Sequence, residues 1–106
     1  MLHNIKTIVA ELRGRLQVLY GDRLAKVVVF GSHARNEATE NSDIDVMVVL
    51  KGEISPSQEI ARTIDDVADI SLTNDVVLSC VFMTEIRYEL EQCPLLLNVR
   101  REGLAI

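Results

Sequence analysis

Two short stretches of this 106-residue chain carry residue types that do chemistry. Gly31-Ser32 is followed, after the ten residues 33–42, by Asp43 and Asp45 with Ile44 between them. Carboxylates two apart on a strand share one face. Carboxylates on one face resist ionising together unless a cation stands between them. Hard oxygen donors favour magnesium, which prefers sites it can share with substrate phosphates. Glycine lets a phosphate approach the backbone closely. The N–H groups after Ser32, at the start of a short helix, would point at anionic oxygens, and the Ser32 hydroxyl binds phosphate as well. The chemistry these residues suit is metal-assisted work on a phosphate.

Other readings of the same residues fit less well. A calcium-binding EF-hand needs further oxygen ligands after Asp45 and a central glycine, and Met47 and Val49 stand in those places. A P-loop needs a glycine-rich run ending in Lys-Ser or Lys-Thr, which the chain lacks. A serine hydrolase needs a base: His33 adjoins Ser32 but would point elsewhere, and His3 is remote. The plainest alternative is that Asp43 and Asp45 merely cap a strand beside a turn.

The elements that must position these residues follow from periodicity. Ile5, Ile8, Val9, Leu12, Leu16 and Leu19 recur at the helical period, and Gly21-Asp22 ends that helix. Ala25–Phe30 is a short β-branched strand and Asp43–Leu50 a second one. Only about a dozen residues join them, which is short for a parallel crossover but ample for antiparallel neighbours. Gly31-Ser32 and Asp43/Asp45 then meet at one edge of a sheet. Ser55-Pro56-Ser57-Gln58 opens a helix from about residue 56 to about 72, with Ile60, Ile64, Val67 and Ala68 facing the core. Asp75–Met83 is a third strand, parallel to the second, and its first residue Asp75 could join the other two aspartates. Thr84 caps a short helix, Pro94 ends or interrupts it, and a last helix spans Leu95–Arg101, with Gly103 as a left-handed terminator. The fold class is α/β (α+β): a small mixed sheet of three to four strands with flanking helices, in one domain spanning 1–106.

Composition limits the partners. Hydrophobic residues make up 48% and charged residues 25%, as in a folded domain; with 4% aromatics the core must be aliphatic. The net charge of −5 and the lack of a basic block argue against nucleic acid as the main partner. No stretch has the length and apolarity of a membrane span, and the first residues do not form a signal peptide. Cys80 and Cys93, unpaired in any metal motif, read as two buried thiols of a cytoplasmic protein. Lys26, Lys51, Arg62 and Arg87 read as surface charges. The apolar content is high for so small a domain, which suggests a contact surface, with hetero-oligomers or oligomers in view.

Residues 31–50, GSHARNEATENSDIDVMVVL, resemble the signature of the DNA polymerase β-like nucleotidyltransferase superfamily, and more narrowly its minimal nucleotidyltransferase (MNT) family. That signature is Gly-Ser, ten residues, then Asp-x-Asp. Ala34 and Arg35 match the GSxAR form common in the minimal group; Asn36 stands where many members have glycine. The element order agrees along nearly the whole chain. The resemblance implies the nucleotidyltransferase fold, with Mg2+ as cofactor and ATP as substrate, and transfer of AMP to an acceptor. By carry-over, Gly31 and Ser32 hold the triphosphate, Asp43 and Asp45 are the catalytic metal ligands, and a third carboxylate activates the acceptor hydroxyl. Asp75 is the candidate for that role, although Val77 or Ser79 can occupy the family's position. Arg35 is a candidate phosphate contact or else a solvated surface arginine. Many small MNT proteins are antitoxins paired with a helical HEPN ribonuclease toxin, and some attach AMP to a toxin tyrosine. A non-catalytic binding module and a small-molecule nucleotidyltransferase are the alternatives.

Overall fold

The computed structural model describes residues 3–39 and 42–106. Residues 40 and 41 of the expected loop, and the first two residues, lie outside that description.

Helix α1 (His3–Tyr20) buries Ile5, Ile8, Val9, Leu12 and Leu16 along one face, as the periodicity requires. Its last apolar contact is Tyr20 rather than Leu19, which is 40% exposed. Gly21, at φ +55°, turns the chain out of the helix. Strands β1 (Leu24–Phe30) and β2 (Ile44–Leu50) pair antiparallel, from Leu24 opposite Leu50 to Phe30 opposite Asp45. They are the central strands and are covered on both faces, which explains their unbroken β-branched runs. Strand β3 (Leu78–Thr84) pairs parallel to β2, and a two-residue strand β4 (Leu104–Ala105) pairs antiparallel to β1. The sheet order is β3-β2-β1-β4.

The sheet separates two apolar clusters. One face presents Val27, Val29, Ile44, Val46 and Val48 to α1 and Ile70. The other presents Val28, Met47, Val49 and Met83 to Tyr88, Leu96 and Val99. Tyr88 belongs to α3 (Glu85–Leu90), which Thr84 caps by accepting the Arg87 N–H. Leu96 and Val99 belong to α4 (Pro94–Glu102). Arg100 ties the two helices, its guanidinium donating to the carbonyls of Tyr88 and, at 2.8 Å, Glu91.

Four expectations change. Helix α2 (Pro56–Asn74) starts at its proline as expected, but no side-chain hydrogen bond of Ser55 caps it. It also turns a different face inward. Glu59, Thr63 and Ile70 are buried, whereas Ile60 and Ile64 are 48% and 55% exposed and Ala68 is exposed. With Val67 and the β3 side chains Leu78, Cys80 and Phe82, Ile60 and Ile64 line an open apolar groove. The third strand begins at Leu78, not Asp75, because α2 runs on to Asn74 and Asp75 closes it. Gly103 is extended (φ −65°, ψ 149°), not left-handed; a Cβ there would meet Val28 Cγ1 and the Val99 carbonyl oxygen at 2.5 Å. This glycine permits the close approach that lets β4, which the sequence did not reveal, pair with β1.

Cys80 and Cys93 are free and half-buried rather than fully buried. Burial pushes the Cys80 thiol up to about 11, so it is no nucleophile near neutral pH. Among the proposed surface charges, Lys51, Arg62 and Arg87 are exposed; Lys26 is also exposed, but its ammonium stands 5.0 Å from the centre of the Tyr88 ring. Among the described residues no helix is long and apolar enough to cross a membrane.

Candidate active site

The site is built where β1 ends and β2 begins. Register places Phe30, Asp45 and Ser79 side by side across β1, β2 and β3. Alternation along β2 puts Asp45 on the same face as Met47 and Val49, the face that α3 and α4 cover. Asp43 is exposed and just precedes the strand, two residues before Asp45. Its charge is felt by Asp45. The Asp45 carboxyl is raised above its ordinary range, first by burial and next by the charge of Asp43. His33 and Arg35 act on it in the opposite direction.

Gly31 is shaped by this carboxylate. Its φ is +71°, and a Cβ built on it would collide with Asp45 Oδ2. Glycine suits the left-handed backbone, and any side chain there would push the Asp45 carboxylate aside. Residues 31–33 form a 3-10 turn in which the N–H groups of Ala34 and Arg35 both donate to the Gly31 carbonyl, at 3.1 and 3.2 Å. Asn36 follows at φ +57°. Asparagine is one of the few side chains that visit this region readily, which explains how it stands where relatives of the resembled family carry glycine.

The side chains expected here are only partly brought together. Gly31 packs against Asp45, Asp43 is close enough to raise the Asp45 carboxyl, and Ser32 follows Gly31 in the same turn. Arg35 lines a cavity of about 220 Å³ with Gly31, Phe30 and the α4 residues Leu95, Asn98, Val99 and Glu102. Its guanidinium is engaged there, 3.2 Å from Glu37 and 3.8 Å from Glu102. Asp75 stands apart. It is the left-handed C-cap of α2 (φ 52°, ψ 49°), its N–H directed at the Leu72 and Ser71 carbonyls. The residue beside Asp45 on β3 is Ser79, four positions further on. Among the described residues, no group of three or more His, Cys, Asp or Glu is arranged to hold a metal ion.

His33 is the residue whose place sequence reasoning missed. It does point away from Ser32, but into the protein: it is 2% exposed, and its Nε2 lies 3.3 Å from the main-chain oxygen of Ser42. Nothing in the sequence signals this, because a histidine in a polar loop ordinarily reads as solvated.

The donor set fits magnesium. Two oxygen-donor side chains share one edge, and Asp45 resists ionisation partly because of Asp43, a conflict that a divalent cation removes. Magnesium is commonly bound by one or two carboxylates together with substrate phosphates, which suits a site offering two.

The structure thus sets two carboxylates beside a glycine-serine turn at one end of a mixed sheet. The chain belongs to the nucleotidyltransferase domain family, whose model matches residues 9–101, and with it to the nucleotidyltransferase enzymes. A Methanocaldococcus jannaschii protein described as a candidate protein adenylyltransferase is 32% identical over 72 residues, 68% of this chain and 72% of its own length. Another from the same organism, described in the same words, is 31% identical over 94% of this chain; the match spans 57% of that protein. A crystal structure of a toxin–antitoxin with AMP-PNP superimposes at a TM-score of 0.60 and 20% identity, covering 88% of this chain and 68% of that one. At that identity the likeness is one of fold.

Proposed function

We propose that this chain transfers AMP from ATP to a hydroxyl of a partner protein, and that the partner is a HEPN-type toxin which the modification neutralises. The observation that carries the reading is the fit of Gly31 against Asp45, with Asp43 two residues away. Its relatives' description as candidate protein adenylyltransferases, and a toxin–antitoxin neighbour holding an ATP analogue, support the choice of nucleotide and acceptor. Free cysteines suit a cytoplasmic setting.

In this reading the acceptor oxygen attacks the α-phosphorus, the bond from that phosphorus to the bridging oxygen breaks, and pyrophosphate leaves. Gly31 leaves room for the triphosphate, and Ser32 and Arg35 bind its oxygens. Arg35 exchanges its contact with Glu102 for phosphate. Asp43 and Asp45 hold Mg2+, which when bound offsets the charge on the phosphates. The acceptor proton passes to solvent water, since Ser79, beside Asp45, cannot serve as a carboxylate base and Asp75 sits at the α2 C-cap rather than in β3.

That last arrangement favours a second reading, in which the chain neutralises its partner by contact alone. One experiment separates the two. The purified chain and the protein encoded beside it are incubated with labelled ATP and Mg2+, and label on the partner is measured. The transfer reading expects labelling that Asp43→Asn or Asp45→Asn abolishes. Labelling that survives both changes refutes the site; variants that cannot label yet still neutralise the partner establish the contact reading.

A further inference from the structure

We infer that His33 is a positioning residue: its buried ring ties the glycine-serine turn to the start of β2 and so fixes Ser32 relative to Asp43. The inference rests on the nucleotidyl-transfer reading above for what the alignment serves, but its geometry stands by itself.

The sheet cannot do this job. The last register pair at this end is Phe30 with Asp45, so Ser32 and Asp43 both lie beyond the ladder. Between them runs the polar stretch 33–42, whose described hydrogen bonds form two local knots. In the first, Ala34 and Arg35 donate to the Gly31 carbonyl and Glu37 donates to that of Ser32 at 2.9 Å. In the second, the Ser42 N–H donates to the Thr39 carbonyl and the Thr39 N–H to Ser42 Oγ. His33 joins the two knots through its 3.3 Å contact with the Ser42 oxygen. Ser42 immediately precedes Asp43, and His33 immediately follows Ser32.

The chemistry of the ring is informative. A carbonyl oxygen only accepts, so Nε2 carries a hydrogen. Nδ1 is buried and has no hydrogen-bond partner among the described residues. Burying an unsatisfied polar atom is unfavourable. A leucine or phenylalanine would fill the same space without an orphan nitrogen, so packing alone does not account for histidine here. What histidine adds is a donor at the far end of a rigid ring, reaching from one knot to the other.

The test uses the whole chain with two substitutions. His33→Leu keeps bulk and removes the donor; His33→Gln places an amide N–H near the position of Nε2. For His33→Leu, turnover with Mg2+, ATP and the partner should fall about tenfold or more, since small misplacements between reacting groups are costly. Its affinity for ATP should stay within about threefold, because the turn itself remains. His33→Gln should restore most of the turnover, and the Leu variant should unfold at no lower temperature than the parent. A leucine variant as active as the parent, or a glutamine variant no better than leucine, overturns the proposal. Long-range 1H–15N NMR of the parent provides a readout independent of activity: the His33 ring should carry a proton on Nε2. A Nδ1–H tautomer overturns the tether even if transfer is observed. If the parent transfers nothing, the function proposed above fails, and the NMR result still decides the tether.

Discussion

The carboxyl of Asp45 is raised by burial and by Asp43, and that makes the site a source of instability when it is empty. The folded state holds this proton more tightly than the unfolded chain. Its stabilising contribution is complete below the ordinary aspartate value of about 3.9 and is lost as pH rises through the raised folded value. Near neutral pH, without metal, ionised Asp45 therefore opposes folding. Asp45→Asn should raise the melting temperature at pH 7 in EDTA, with the gain shrinking as pH is lowered towards about 4. Mg2+ with ATP should then stabilise the parent and not the variant. A gain that stays constant with pH would show that burial and Asp43 are not its cause. At this scale the pattern of Gly31, Ser32, Asp43 and Asp45 was legible because types and spacing alone carry it. The place of Asp75 was not legible because it turns on a cap. Aspartate tolerates the left-handed conformation, so the helix could run on to it and move the strand start by three residues. Register then placed Ser79, not a carboxylate, beside Asp45. The His33 tether depends on a contact that no spacing encodes.

Helix α2 shows why an apolar stripe can point the wrong way. Counting hydrophobic residues places Ile60, Ile64 and Ala68 inward, yet the helix buries Glu59 and Thr63. Those polar groups are satisfied. Tyr20 at the end of α1 donates its hydroxyl to Glu59 Oε1 at 2.8 Å, Arg62 lies 3.6 Å from the same oxygen, and Thr63 donates to the Glu59 carbonyl at 2.9 Å. On the same flank Arg15 of α1 reaches Asp66 and Asp69. The α1–α2 contact thus includes polar pairs, which no hydrophobic period reveals. Tyr20→Phe keeps the ring and leaves a buried carboxylate short of its donor. It should lower the unfolding free energy by about 1.5–3 kcal/mol, the usual worth of a hydrogen bond to a charged group. Urea titration measures this directly, and a loss below about 0.5 kcal/mol, the scale of ordinary surface changes, would mean that Glu59 is held by other means. The strands were easier to read, since β1 and β2 are buried on both faces and spell out their runs. Strand β4 was not, being two residues long and dependent on the missing Cβ of Gly103.

Taken whole, the molecule is a poor electrostatic host for a bare triphosphate. Its net charge is −5, and two carboxylates stand at the site itself. The arginine nearest Gly31 in the adjoining cavity, Arg35, is partly neutralised by Glu37 and Glu102. Like charges at this range oppose binding, and long-range repulsion adds to it at low ionic strength. Nucleotide affinity must therefore come from a cation that cancels charge on both sides, so ATP and Mg2+ should bind as a unit. A ligand at about 100 times its dissociation constant stabilises the folded state by about 2.7 kcal/mol. For a domain of this size that is a rise in melting temperature on the order of 10 °C. Thermal unfolding should show such a rise with ATP and Mg2+ together, little with Mg2+ alone, and almost none with ATP in EDTA. Lowering the salt should deepen the contrast, because repulsion of the bare nucleotide is then less screened. If ATP in EDTA stabilises the chain as well as Mg2+ and ATP do, the triphosphate is held by groups other than a cation on Asp43 and Asp45. The electrostatic case for the site would then fail with it.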